Sequence, residues 1–329
     1  MKHLLLTTIA ALLLAVINFP VNAATPTFEE WLKGGKKIPV DRVFTGGSPW
    51  FNESNGQTRS PKEVYNILYS RQSKEPPDQL PDPVGKVSEN WADLYEPHVD
   101  GKILYRLMKP MTFDSNKRYP VIVSLHGAGG RGADNRKQLR DWNKLLAQEQ
   151  RRSDYPSYVL APQTTRLWDA VDLKNIKDVI AALPSADRDR IYILGHSMGG
   201  HGTYILIQID PGYFAAAAPS AGAGRPKTEE FIDASLIKNL PIWAFHGDKD
   251  KVCPIERDQK LFAEMKKLGG NMKFTTWTGD KHGVAKKMIT GGDNGSTQLS
   301  SGHCDGETEF MKWLFAQKRS ANRINREKE

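Results

Sequence analysis

Apolar residues in this chain gather into short runs and stripes from about residue 94 onward. Before that point only the first twenty or so positions are strongly apolar. Runs bounded by Gly, Pro, Asn or Asp read as buried strands: 102–108, 120–125, 158–161, 191–194, 214–218, 241–245 and 272–277. Between them lie stripes at three- and four-residue spacing, which predict helices. One spans 135–146, with Leu139, Trp142, Leu145 and Leu146 on one face; another spans 171–183. Further helices are expected over 203–209, 231–237, 255–268 and 307–317. Alternation of strand and helix implies an α/β fold: a mostly parallel sheet covered on both faces. No internal repeat interrupts it.

The N-terminal part differs. Residues 24–94 read as an irregular extension and linker, rich in Pro, Gly, Asn and Ser. Short helices are expected at 27–33 and at 61–70, where Ser60 caps, Pro61 opens the first turn, and Val64, Ile67 and Leu68 form a stripe. The stretch 74–83 is linker. Asn52, Asn55, Gly56 and Glu63 faintly resemble a calcium-binding helix–loop–helix, one residue off register and without its aspartates; a polar loop is the alternative. The regular domain is expected over 95–318, with a charged tail at 319–329.

Residues 1–23 have the pattern of a signal peptide: Lys2, an apolar stretch to Phe19, and Val21-Asn22-Ala23 before cleavage at Ala23 or Ala24. The expected location is therefore secreted or periplasmic, with no stable membrane insertion. An oxidising compartment permits one disulfide from the two cysteines, Cys253 and Cys304. Cys253 follows a candidate acid loop and Cys304 follows a polar insertion at 290–301, so both are expected near one rim of the site, bridged. The net charge of +8 comes from dispersed basic residues without a nucleic-acid motif, so no nucleic-acid partner is expected.

Candidate chemistry begins at Gly195-His196-Ser197-Met198-Gly199, between an apolar strand and a helix. A strand turning straight into a helix forces Ser197 into a strained conformation, and side chains two residues either side would collide. The pattern alone is weak; its flanks make it a nucleophile elbow. A serine nucleophile needs a base, a carboxylate to orient that base, and N–H donors for the oxyanion. In an open parallel sheet these should follow the carboxyl ends of strands. His126-Gly-Ala-Gly-Gly-Arg-Gly132 supplies Gly127 or Ala128 as an N–H donor beside that of Met198. His246-Gly-Asp-Lys-Asp250 supplies Asp250, with Asp248 the alternative in the same loop. His282 follows the next strand by a few residues and is favoured as base over His303, which comes after the polar insertion. Trp168 and His126 are read as substrate-binding candidates. His196 is read as a packing or loop-bonding residue and His201 as filler on a helix face.

These motifs, with Phe214-Ala-Ala-Ala-Ala-Pro-Ser-Ala-Gly222, resemble the exported esterase branch of the α/β hydrolases. That branch includes polyhydroxybutyrate depolymerase-like and feruloyl esterase-like proteins and peptidases related to prolyl oligopeptidase. The resemblance implies an eight-stranded sheet with antiparallel first strands. It also implies hydrolysis of an ester, possible substrates being polymeric or glycan-linked, with no metal or cofactor. Cys253 replaces the usual aliphatic residue, and the tryptophan often found after the base is missing. A secreted peptidase using the same residues and a non-catalytic binding protein on the same scaffold remain alternatives.

Overall fold

The computed structural model describes residues 27–36, 51–52, 57–69, 90–100, 103–224 and 232–319. The expected signal peptide, the 74–83 linker and the tail from residue 320 lie outside them.

Helix α1 (Phe28–Lys33) opens with reciprocal capping by Thr27 and Glu30. Strands β1 (Phe51–Asn52) and β2 (Gln57–Thr58) pair antiparallel. Helix α2 (Pro61–Tyr69) is capped in the same way: the Glu63 carboxylate accepts from the Ser60 N–H and hydroxyl, each at 2.8 Å. Glu63 thereby caps the helix; Asn55 and Gly56 of the calcium-loop likeness lie outside the described residues. Trp31, Val64 and Leu68 form a small apolar cluster of their own.

The rest is built on one nine-stranded sheet. Its strands are β3 (Glu96–Asp100), β4 (Ile103–Met108), β5 (Tyr119–Leu125), β6 (Tyr158–Gln163), β7 (Ala186–His196), β8 (Ala216–Ser220), β9 (Ile242–Gly247), β10 (Met272–Trp277) and β11 (Gly295–Leu299). The spatial order is β11-β10-β9-β8-β7-β5-β6-β4-β3. From β10 to β6 all pairs are parallel; β6-β4, β4-β3 and β10-β11 are antiparallel. One strand more than expected arises because β11 lies in what reads as a polar insertion. All five of its residues are exposed, so no apolar alternation betrays it.

Helices α3 (Asp141–Leu146), α4 (Glu149–Asp154), α5 (Ala170–Ala182), α6 (Met198–Ile209), α7 (Ala234–Ile237), α8 (Glu256–Lys267), α9 (Ala285–Thr290) and α10 (Phe310–Ala316) complete the chain. Pleating divides the core in two. Val121, Val123 and Leu125 join α5, α6 and α8 on one face, while Ile122 joins Trp142, Met288 and Trp313 from α3, α9 and α10 on the other. Helix α3 is shorter than the expected 135–146. Asn135 has φ 49° and its N–H is held by the Gln163 side chain at 2.7 Å, while the Asn143 side chain caps the Arg140 N–H at 2.8 Å. Local side-chain bonds therefore replace the first helical turns.

Candidate functional site

Ser197 sits between the end of β7 and the start of α6 with φ 58° and ψ −122°. An L-residue rarely adopts that conformation, and here the surroundings enforce it. The Ser197 N–H donates to the Ser220 carbonyl at the end of β8, 2.9 Å away. A Cβ on Gly195 would come within 2.3 Å of the Gly199 carbonyl oxygen, and one on Gly199 within 2.2 Å of the Leu125 oxygen. These two glycines let β7, α6 and β5 approach closely enough to form the elbow.

His282, in the loop after β10, has Nε2 at 2.9 Å from Ser197 Oγ. Its Nδ1 is 2.7 Å from Asp250 Oδ2, in the loop after β9. All three side chains are almost fully buried. Asp250 Oδ1 also accepts from the N–H groups of Val252 and Cys253, at 2.7 and 3.0 Å. Burial would raise the Asp250 pKa, but hydrogen bonds from His246 and His282 overcome it and hold the carboxyl below the usual range.

The glycine-rich loop after β5 lies against the serine. A Cβ on Gly127 would stand 3.4 Å from the Ser197 Cβ and 3.1 Å from the His196 carbonyl oxygen. Met198 is the first residue of α6, so its N–H has no carbonyl a turn earlier in that helix. The glycine-rich loop and the start of α6 therefore both lie beside Ser197 Oγ, where a carbonyl carbon would be attacked.

Comparison with known proteins bears on the fold. Residues 149–312 match the dienelactone hydrolase family. The crystal structure of a thermostable esterase is similar at a TM-score of 0.54 and 30% identity, over 70% of this chain and 64% of that one. The chain has the α/β-hydrolase fold. Two curated relatives are more distant. The uncharacterized peptidase YuxL of Bacillus subtilis (strain 168) is 23% identical over 55% of this chain and 33% of its own length. An uncharacterized secreted protein of Arthroderma benhamiae is 24% identical over 55% of this chain and 24% of its own length. The chain thus spans a third or less of the length of those two relatives.

The structure sorts the remaining sequence candidates. Asp248 accepts the Gly279 N–H at 2.7 Å, while the carboxylate on His282 Nδ1 is that of Asp250. His303 is exposed and follows β11, whose register returns the chain to the Met272 end of β10, opposite His282. Trp168 is not a substrate wall. It is 3% exposed, its Nε1 donates to the His126 carbonyl at 3.2 Å, and it packs on Gly202, where a Cβ would meet it at 2.3 Å. His126 is fully buried and braces the loop rather than facing substrate: Nδ1 bonds the Gly127 carbonyl at 2.8 Å and Nε2 accepts the Thr164 N–H at 3.1 Å. Burial lowers its pKa to about 4, with the bond to Gly127 opposing, so the ring is neutral at pH 7. His196 lies against the His282 ring, centroids 4.7 Å apart, and its Nδ1 is 3.3 Å from Ser220 Oγ. Burial, then the field of His282, pushes its pKa down. His201 is buried on α6.

The expected disulfide does not form: Cys253 and Cys304 are both buried and not bridged. The reason is the same return strand. Cys304 Sγ lies 3.4 Å from the Met272 carbonyl at the start of β10, whereas Cys253 belongs to the Asp250 loop at the opposite strand ends. Six residues of β10 separate the two ends by about 17 Å, beyond any disulfide.

Two groups went unnoticed in the sequence. His246 is fully buried behind Asp250, and Asp258 on α8 is 2% exposed behind His246. His246 precedes Asp250 by four residues in a readable motif, but nothing in the pattern of α8 marks Asp258 as its partner. A cavity of about 440 Å³, lined by Phe245, Trp277, Met288 and Phe310, lies on the α9–α10 flank and touches none of Ser197, Asp250 and His282. Among the described residues no cluster of His, Cys, Asp and Glu is arranged to hold a metal, and no helix is long and apolar enough to cross a membrane.

Proposed function

We propose that this protein is a serine hydrolase of carboxylic esters, working through an acyl-enzyme. The carrying observation is the unbroken hydrogen-bonded series Ser197–His282–Asp250 at a strained elbow. His282 Nε2 takes the Ser197 proton as Oγ attacks the carbonyl carbon. Asp250 holds Nδ1–H, fixing the tautomer and stabilising the imidazolium that forms. The N–H of Met198 and one from Gly127 or Ala128 receive the oxyanion. His282 then returns the proton to the departing alcohol. Water, deprotonated by the same imidazole, cleaves the acyl-enzyme and releases the acid. Similarity to the thermostable esterase favours an ester over an amide. The signal-peptide pattern at 1–23 supports a protein that acts after export.

The similarity to YuxL, called a peptidase, keeps an amide substrate as the second reading. Turnover of matched p-nitrophenyl esters and p-nitroanilides separates the two. The ester reading expects kcat/KM on the ester to exceed that on the anilide by at least about 100-fold, a difference of nearly 3 kcal/mol in barrier. A larger value on the anilide would make the protein a peptidase.

A further inference from the structure

The polar series does not end at Asp250. His246, near the end of β9, lies between two carboxylates. Its Nδ1 is 2.6 Å from Asp258 Oδ2; its Nε2 is 3.1 Å from Asp250 Oδ2 and 2.8 Å from the Cys253 carbonyl oxygen. A carbonyl oxygen only accepts, so Nε2 carries a proton. Asp258 accepts the Tyr204 hydroxyl on Oδ1 at 3.0 Å and the Ala223 N–H on Oδ2 at 3.3 Å, the pattern of a carboxylate, which leaves Nδ1 to donate as well. Both ring nitrogens then carry protons and the ring is a cation. Burial by itself would lower the His246 pKa; hydrogen bonds to Asp250 and Asp258 outweigh it and raise the value to about 10, in agreement with the bond directions.

The sum of these charges has a consequence for His282. A cationic His246 alone would cancel Asp250, leaving nothing to stabilise a protonated His282. With Asp258 on its other side, the buried group of three carries one net negative charge, which is neutralised when His282 takes the Ser197 proton. We propose that His246 and Asp258 are a positioning pair for Asp250: His246 clamps the carboxylate oxygen that serves His282, and Asp258 supplies the charge that stops His246 from cancelling it. The proposal rests on the reading of Ser197, His282 and Asp250 given above. The titratable groups around the ring are Asp250 and the Cys253 thiol in its own loop, Asp258 on α8, Tyr204 on α6 behind Asp258, His282 beyond Asp250, and His196 at the end of β7.

The test compares His246→Gln and Asp258→Asn, with rates expressed per site labelled by a fluorophosphonate. The two changes alter the buried charge in opposite senses. Removing the cation should move the acidic limb of the kcat/KM profile up by about one pH unit; removing the distal anion should move it down, by less because the group is farther away. His246→Gln should also lower kcat about tenfold or more with little change in KM. A purely structural role would reduce the number of labelled sites and leave both limbs where they were; that result, or shifts of the same sign, overturns the proposal. Should neither variant fold, nitrogen NMR of the unsubstituted protein at pH 8 decides. One buried histidine must show protons on both ring nitrogens, and its absence refutes the assignment. Failure to label Ser197 in the unsubstituted protein would instead overturn the catalytic reading beneath it.

Discussion

The Ser197 elbow and the Asp250 loop deliver two side chains to one histidine by opposite physical means. Backbone sterics make the elbow: positive φ at Ser197, and Gly195 and Gly199 where any Cβ would strike a carbonyl. Buried polar side chains make the loop. Asp250 fills four acceptor positions with Val252, Cys253, His246 and His282, and His246 is in turn tied to Asp258. Sterics are encoded within five consecutive residues. The polar network draws on β9, its loop, α6, α8 and the loop after β10, so the fold has to assemble it.

The largest effect that separates the two regions should come from the carboxylate itself. Asp250→Asn keeps the shape but presents an amide where His282 needs an acceptor, and kcat should fall by roughly 10⁴. Asp248→Asn, in the same loop but with its carboxylate on the Gly279 N–H, should alter kcat by no more than about twofold. Steady-state kinetics on a p-nitrophenyl ester checks both, and comparable losses at the two positions would mean that the loop matters as a whole and not through Asp250.

The elbow should break through stability and geometry together. Gly199→Ala places a methyl group 2.2 Å from the Leu125 oxygen and 2.8 Å from that of His126, both backbone atoms that a rotamer change cannot move. A loss of about 3 kcal/mol or more is expected in denaturant melts, along with loss of fluorophosphonate labelling. The contrast between the regions is wrong if this variant folds normally and labels at the parent rate.

A smaller effect comes from the buried charges and has a defined sign. The pKa of His246 is raised on folding, so its stabilising contribution is complete below about 6.5, the value of a free imidazole, and is lost as pH rises through about 10. Asp250 is shifted down, so its contribution is complete above about 3.9 and is lost as pH falls below that. Thermal melts should show Tm declining from pH 7 to 10 in the parent and less steeply in His246→Gln. Equal slopes would remove the electrostatic account of the loop.

The smallest effect concerns the cysteines. With no disulfide between them, reductant should leave Tm and turnover unchanged, and both cysteines should alkylate in denaturant without prior reduction. A mass showing a blocked pair would contradict the placement of Cys304 at the far end of β10.

How far the sequence could be read follows the same division. The elbow, the glycine loop, His282 and the order Ser, Asp, His were legible because each sits within a few residues of a strand whose apolar run announces it. Strands β3 and β11 were not, since their polar, mostly exposed residues carry no period-two apolar signal. Missing β11 misplaced Cys304, because that return strand carries the chain the length of β10. The stripe at Leu139, Trp142, Leu145 and Leu146 is real, yet the helix covers only its last three residues, where backbone bonds are not pre-empted by Gln163 and Asn143. Trp168 and His126 lie where strand-end loops face the site, but their side chains turn inward and meet each other, ring centroids 4.8 Å apart, which loop position alone does not reveal.

The central claim is that Ser197 is a nucleophile activated by His282. Its most direct test is mass mapping of the adduct formed with a fluorophosphonate, in the parent, Ser197→Ala and His282→Ala. One adduct per chain on Ser197 is expected in the parent and none in Ser197→Ala, with labelling slowed by about 10³-fold or more in His282→Ala, in line with removal of the general base. An adduct on another residue, or labelling of Ser197→Ala at the parent rate, would contradict the account.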